Sequence, residues 1–277
     1  MREVRHSERV GGGSINEGWR VELEDGEIAF VKTRQDVRAG EYAAEAAGLR
    51  WLAAAGAVRL PEVVEVQESR LALEWIEQGS LSPEGAEELG RGLAALHRAG
   101  AEAFGSLPPG APGGSLRIGP VVLPLEPSDD WPSVYAEQLL RPLVRDAVDA
   151  GSLSVGGADA IARVCDRMGD LAGPAEPPAR LHGDLWGGNV LGGADGRAWL
   201  IDPAAYGGHR EVDLAMLRLF GSPGPRVFDA YAEASPLAPG HEDRVGLWQL
   251  FPLLVHAVLF GGGYGSSAEA AARRYAG

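Results

Sequence analysis

The sequence predicts an α+β chain in two lobes: a small, strand-rich N-terminal lobe over residues 1–77 and a larger, mostly helical lobe over 78–277. Three observations carry this. "GWRVEL" and "EIAFVK" are strand-like runs flanking Glu24-Asp25-Gly26, and Asp-Gly between two such runs is a strong hairpin signal. The segment "EQGS", residues 77–80, interrupts the pattern, and beyond it helical stretches dominate to the C-terminus. Finally, 277 residues with 45% hydrophobic and 23% charged content suffice for two modest cores.

The elements follow in order. Period two places Ile28, Phe30 and Lys32 on one face of the second strand. An alanine-rich helix, "EYAAEAAGLRWLAAAG", should end at Gly56. An extended segment near "VVEVQ" precedes "RLALEWI", whose continuous apolar character suits a buried strand. Ser82-Pro83 supplies an N-cap and a first helical residue for a helix running to Gly100. Residues 105–130, rich in Gly and Pro, read as one long irregular stretch. Helices are expected from about Trp131 to Ala150 and through Cys165, and "VGLWQLFPLLVHAVLF" reads as a buried helix bent at Pro252.

Composition narrows the function. A formal charge of −14 argues against a general nucleic-acid binder, which needs clustered Lys and Arg. A single cysteine, Cys165, excludes an intramolecular disulfide and a Cys-rich metal site, and its helical setting suits a buried small hydrophobe. No signal-peptide core opens the chain, and the longest apolar run is short of a membrane span. A soluble, cytoplasmic protein with no membrane partner is expected, and a monomer is favoured.

The chemistry concentrates in "LHGDLWGGNV", Leu181 to Val190, followed by "AWLID", which ends on Asp202. "NVL" and "AWLID" should pair as a hairpin and bring Asn189 near Asp202. An amide oxygen and a carboxylate at one point are hard oxygen ligands suited to Mg²⁺ carrying phosphates. Asp184, farther out on the loop, could orient a hydroxyl and accept its proton late in a reaction. A surface loop with turn-forming Asp and Asn is the plain alternative.

H-x-D-x₄-N followed by a strand ending in Asp matches the catalytic plan of the protein-kinase-like fold. That resemblance implies further parts. Gly11, Gly12, Gly13 and Ser14, in "VGGGSIN", would form the loop whose N–H groups approach phosphate oxygens. Lys32 would be the strand lysine, and Glu45, with Glu41 as a rival, its helical partner. "LALEWIEQGS" would be the hinge, where backbone groups near Glu74 and Ile76 meet the adenine edge and Leu73 and Trp75 build the pocket. Asp213 would support the catalytic-loop backbone.

Beyond that skeleton, "GGGSINEGWRV", "FVKT", "AAEAAGLRWL", "LHGDLWGGNV", "IDPAAYGGHREVDLAM" and "LFPLLVHAVLFGGGY" together resemble the fructosamine (ketosamine) kinase family over about residues 8–270. The resemblance implies ATP- and Mg²⁺-dependent phosphorylation of the third-carbon hydroxyl of ketosamines such as ribulosamine, erythrulosamine or fructosamine adducts, small or protein-bound, in deglycation repair. It makes Asp184 the base, Asn189 and Asp202 the metal ligands, and Trp186 an apolar wall for the sugar, unless Trp186 only packs. His182 would be structural. His209 and Glu211 would either contact substrate or tie the following loop to its helix. Where this family often has an Asn-rich segment before "LP", this chain has "GSLRIGPVVLP", so Leu116 and Arg117 leave the acceptor's identity open. Another small-molecule kinase of the aminoglycoside or choline type, or a non-catalytic nucleotide-binding pseudokinase, are the rival readings.

Overall fold

The computed structural model describes residues 4–11 and 16–277. Its N-terminal part is a five-stranded antiparallel sheet in the order β1-β2-β3-β5-β4. The strands are β1 (Val4–Val10), β2 (Glu17–Leu23), β3 (Ile28–Thr33), β4 (Val63–Gln67) and β5 (Arg70–Glu74). The Asp25-Gly26 turn joins β2 to β3 as the sequence requires, with the Gly26 N–H donating to Leu23 O at 3.0 Å. Strand β1 was not foreseen. It lies almost wholly exposed at the sheet edge, so pairing with β2 rather than an apolar pattern makes it a strand.

Helix α1 (Glu41–Ala53) crosses from β3 to β4 and buries Tyr42, Leu49 and Leu52. Helix α2 (Pro83–Arg98) starts where Ser82-Pro83 predicts: the Ser82 hydroxyl accepts the Gly85 N–H at 2.9 Å. Residues 105–130 depart from the expected irregular stretch, because Ser115–Ile118 (β6) and Val121–Pro124 (β7) form a hairpin across Gly119-Pro120. Leu116, Val121 and Leu123 sink into the core and hold the hairpin, a tertiary contribution that Gly/Pro content masks.

The expected helix from 131 is built in three parts: α3 (Trp131–Ser133), a π-helical stretch Val134–Leu140, and α4 (Arg141–Asp149). Helices α5 (Val155–Asp166) and α6 (Met168–Leu171) follow, with Cys165 buried as expected. Beyond the strand region come α7 (Glu211–Leu219), α8 (Pro225–Ala234), α9 (His241–Trp248), α10 (Leu250–Phe260) and α11 (Tyr264–Arg273). The single bent helix predicted around Pro252 is thus two helices separated at Gln249. Pro252 has no N–H for Trp248 O, four residues back. The Tyr135 hydroxyl donates instead toward the Leu247 and Trp248 carbonyls, at 3.0 Å each.

Between α6 and α7 lie two nested antiparallel pairs. Outer strands β8 (Ala179–Leu181) and β11 (Tyr206–Gly208) pair, and inside them β9 (Val190–Gly192) pairs with β10 (Ala198–Leu200). Nesting forces the two intervening loops, 182–189 and 201–205, side by side. One apolar core fills the helical part, and a second joins α1 and β5 to α2, Leu185, Leu200 and Leu214. That second core ties the sheet to the nested loops.

Candidate active site

The nested loops set the local geometry first. The Ile201 N–H donates to Asn189 O at 3.1 Å, so the predicted approach of residue 189 to residue 202 is made through the backbone. Asn189 ends a short 3₁₀ turn, Gly187–Asn189, instead of opening the strand. Its side-chain N–H group donates to Asp184 O (2.8 Å) and Asp184 Oδ2 (3.0 Å). Its amide oxygen accepts nothing among the described residues. Gly183 has φ +81°, and a Cβ there would sit 1.9 Å from Ala204 O, so the chain reaches Asp184 only through glycine.

His182 is fully buried and accepts the Asp184 N–H at Nδ1 (3.3 Å) while donating from Nε2 to Ile201 O (3.0 Å). Burial lowers its pKa and keeps it neutral in that tautomer. Asp213, in the first turn of α7, accepts the His182 N–H at 2.7 Å and the Gly183 N–H at 3.0 Å. His97 Nε2 stands 3.3 Å from the same carboxylate. His182 and Asp213 therefore brace the loop and do not face the cleft. His97 was missed because nothing in α2's apolar pattern marks it as a partner for a residue 116 positions away.

Lys32 comes to these loops from β3. Its ammonium lies 2.7 Å from Glu45 Oε1 and 2.5 Å from Asp202 Oδ1, a residue 170 positions later. Gly48, one turn after Glu45, explains the approach of α1: a Cβ there would stand only 3.3 Å from the Ala205 side chain. Burial pulls the Lys32 ammonium's pKa down, but Asp202 and Glu45 outweigh it and hold the value above ordinary lysine. Two carboxylates thus share one cation. Glu41, the rival for Lys32, pairs instead with Arg34 at 2.8 Å.

These groups open onto a cleft of about 940 Å³. At one end, Leu73, Leu191 and Ile201 make apolar walls beside Glu74, Trp75 and Ile76. The Glu74 N–H is already given to Glu62 O (2.8 Å), whereas the Ile76 backbone makes no hydrogen bond among the described residues. Trp186, 37% exposed, also lines the cleft, as does an aromatic cluster of Phe220, His256, Phe260 and Tyr264. The sequence carried a signal for part of that cluster, since His256 and Phe260 are four apart on α10, whereas Tyr264 joins them from α11. Gly11 lines the cleft, while Gly12, Gly13 and Ser14 lie outside the described residues.

Asp184 also lines the cleft. Burial drives its carboxyl up to about 7, opposed by the Asn189 hydrogen bond and reinforced by Asp202. A carboxyl of that pKa in a cleft is suited to receiving a proton near neutrality.

His209 and Glu211 are not brought to this cleft. His209 stacks on Trp248 at 5.4 Å, and Glu211 is gripped by Arg244 (2.6 and 2.9 Å) and by Trp248 Nε1 (2.8 Å). Both are buried, so they tie the segment after β11 to α7 and α9. With Glu176 they form a group of metal-ligand spacing, but Arg210 and Arg244 already balance the two carboxylates.

Comparison with known proteins defines the class first. The choline kinase of Streptococcus pneumoniae superposes with a TM-score of 0.65 at 15% identity, covering 99% of this chain and 94% of that one. The chain has the bilobal protein-kinase-like fold. A solved structure from Thermobifida fusca, provisionally named a fructosamine-3-kinase, is 45% identical with a TM-score of 0.89, covering 99% of this chain and 94% of that one. A probable ketoamine kinase of Synechocystis sp. is 36% identical over 273 residues, 96% of this chain and 88% of the relative. The fructosamine kinase profile matches residues 1–276, and the chain belongs to that family. It is a kinase, and membership implies ATP use. No helix among the described residues is long and apolar enough to cross a membrane.

Proposed function

We propose that this chain transfers the γ-phosphoryl group of ATP to the third-carbon hydroxyl of a ketosamine, as a step in deglycation. The observation that carries the reading is the joining of Lys32 to Asp202 in the cleft that Asp184 also lines. Residues 1–77 act as the nucleotide-binding lobe and 78–277 as the catalytic and substrate lobe. Adenine lies against Leu73 and Ile201, with the free backbone of Ile76 as its hydrogen-bonding edge and Glu74 beside it. Lys32, oriented by Glu45, holds phosphate oxygens, and Gly11 lines the cleft beside them.

Mg²⁺ fits the donor set. Asn189 keeps its amide oxygen free, Asp202 offers a second carboxylate oxygen, and Glu45 and Asp202 together exceed Lys32 by one negative charge. Once bound, the ion neutralises charge on the phosphates. The acceptor oxygen forms its bond to γ-phosphorus as the bond to the bridging β,γ oxygen breaks, and ADP leaves. The hydroxyl proton passes late to Asp184 Oδ1, while Asn189 holds Oδ2. Trp186 offers the sugar an indole face at the mouth of the cleft.

The test is ATP consumption with ribulosyl-, erythrulosyl- and fructosyl-amines beside choline, homoserine and an aminoglycoside. Turnover confined to ketosamines is the expected result, with the phosphate on the third sugar carbon by NMR. Turnover confined to another alcohol replaces the acceptor. Nucleotide binding without turnover on any acceptor overturns the catalytic reading.

A further inference from the structure

Arg117 is the one arginine among the described residues that is withdrawn from open solvent and makes no hydrogen bond, ion pair or ring contact; its Nε is buried without a partner. A buried donor with nothing to receive it is unfavourable, and only Nε is in that position: the terminal nitrogens of the half-buried side chain are not shut away from water. In a chain of net charge −14 the absence of a carboxylate partner is not for want of acids. Arg117 lines the cleft, and every acidic side chain that lines it is committed elsewhere. Glu41 pairs with Arg34, Glu45 and Asp202 with Lys32, Asp184 with Asn189, and Glu74 with the Glu62 N–H.

The hairpin that carries Arg117 is held in place. Arg117 projects from β6 between Leu116, which is buried, and Ile118, which packs on the same core. The Gly119-Pro120 turn is pinned by Arg38, which donates to Pro120 O at 2.7 Å, and β7 packs against α10. Helix α10 carries His256 and Phe260, which line the same cleft as Arg117 and Trp186. The hinge end is built differently: it is fastened to the β9–β10 hairpin through Gly79 N–H to Gly192 O and Ala194 N–H to Glu77 O, both 2.8 Å.

We propose that Arg117 recognises a carboxylate on the amine half of the acceptor, so that this kinase favours ketosamines of free amino acids over those of neutral amines. The inference rests on the ketosamine reading above and narrows its substrate class. A guanidinium fork matches a carboxylate bidentately, and such charge-assisted pairs contribute about 1.5–3 kcal/mol, or roughly 10- to 100-fold in discrimination. Ile118 and Leu107, which also line the cleft, offer an apolar surface to the amino acid's side chain.

The test measures kcat/KM for ribulosyl-valine and ribulosyl-valinamide with the wild type, Arg117→Gln and Arg117→Lys. The wild type should favour the carboxylate by about tenfold or more. Arg117→Gln should bring the ratio near one, chiefly by loss on the carboxylate, and Arg117→Lys, which keeps charge but not the fork, should fall between. Arg117→Lys also carries the test if the glutamine variant does not fold. Equal use of both acceptors by the wild type overturns this proposal and leaves the kinase reading intact. An equal loss on both acceptors in the variants, with a raised KM for ATP, overturns it in favour of a phosphate contact. No phosphorylation of either acceptor sinks the ketosamine reading and this one with it.

Discussion

Asp213 and Asp184 stand at opposite ends of the same support. Burial alone would raise Asp213's carboxyl, but the imidazole of His97 and the N–H groups of His182 and Gly183 reverse the effect and hold it below the usual carboxylate range. Asp184 is less deeply buried than Asp213, yet its one side-chain donor is the Asn189 amide, and Asp202 adds like charge; its carboxyl rises to about 7. The difference lies in the donors supplied, not in depth. Saturated with donors, a buried carboxylate becomes a strut. Left short of them, it becomes a group that can take a proton.

Three experiments bear on that contrast. The largest effect is expected from Asp184→Asn, which keeps an acceptor for Asn189 but cannot take a proton. Turnover should fall by about 10³-fold, while ATP still binds by calorimetry. Turnover within threefold of wild type would remove Asp184 from the proton path. Asp213→Ala should instead act on stability, because two buried N–H groups and His97 lose their acceptor. About 3 kcal/mol, read as a melting temperature lower by roughly 6 °C, is the expected loss. An unchanged melting temperature would mean that the strut carries nothing.

The smallest effect is the most diagnostic. In the ligand-free protein, Asp184 binds a proton in the folded state up to about pH 7, but in the unfolded state only below about pH 4. Stability therefore declines as pH rises between those values, and the cost is complete above about 7. Asp184→Asn should be more stable than wild type by about 2 kcal/mol at pH 8, roughly half the full conversion of the shift because water reaches this half-buried carboxyl, with the gain vanishing near pH 4. Chemical denaturation across that range measures it. A variant less stable than wild type at pH 8 would show that the carboxylate is not held under penalty.

Legibility followed chain distance and hydrogen-bond locality. The hairpin at Asp25-Gly26, the cap at Ser82-Pro83 and the order of Asp184, Asn189 and Asp202 rest on neighbours a few residues apart. Strand β1 and the β6–β7 hairpin were not visible, because an exposed edge and a Gly/Pro-rich segment acquire their structure from the surface they meet. For His209 and Glu211 the sequence left both substrate contact and a tie between loop and helix open, and the structure buries them against Trp248 and Arg244.

By itself the sequence determined the local frame: which backbone turns, which residues share a strand face, and that an amide and two carboxylates ride on two adjacent loops. Only the tertiary structure decided that Lys32 meets Asp202, that Glu45 and not Glu41 steadies it, that Asp184 titrates near neutrality, and that Arg117 stands without a counter-ion. Local geometry follows from steric rules acting between near neighbours in the chain. Charge state and partner choice follow from the dielectric and the donors that distant segments bring, which spacing alone does not encode.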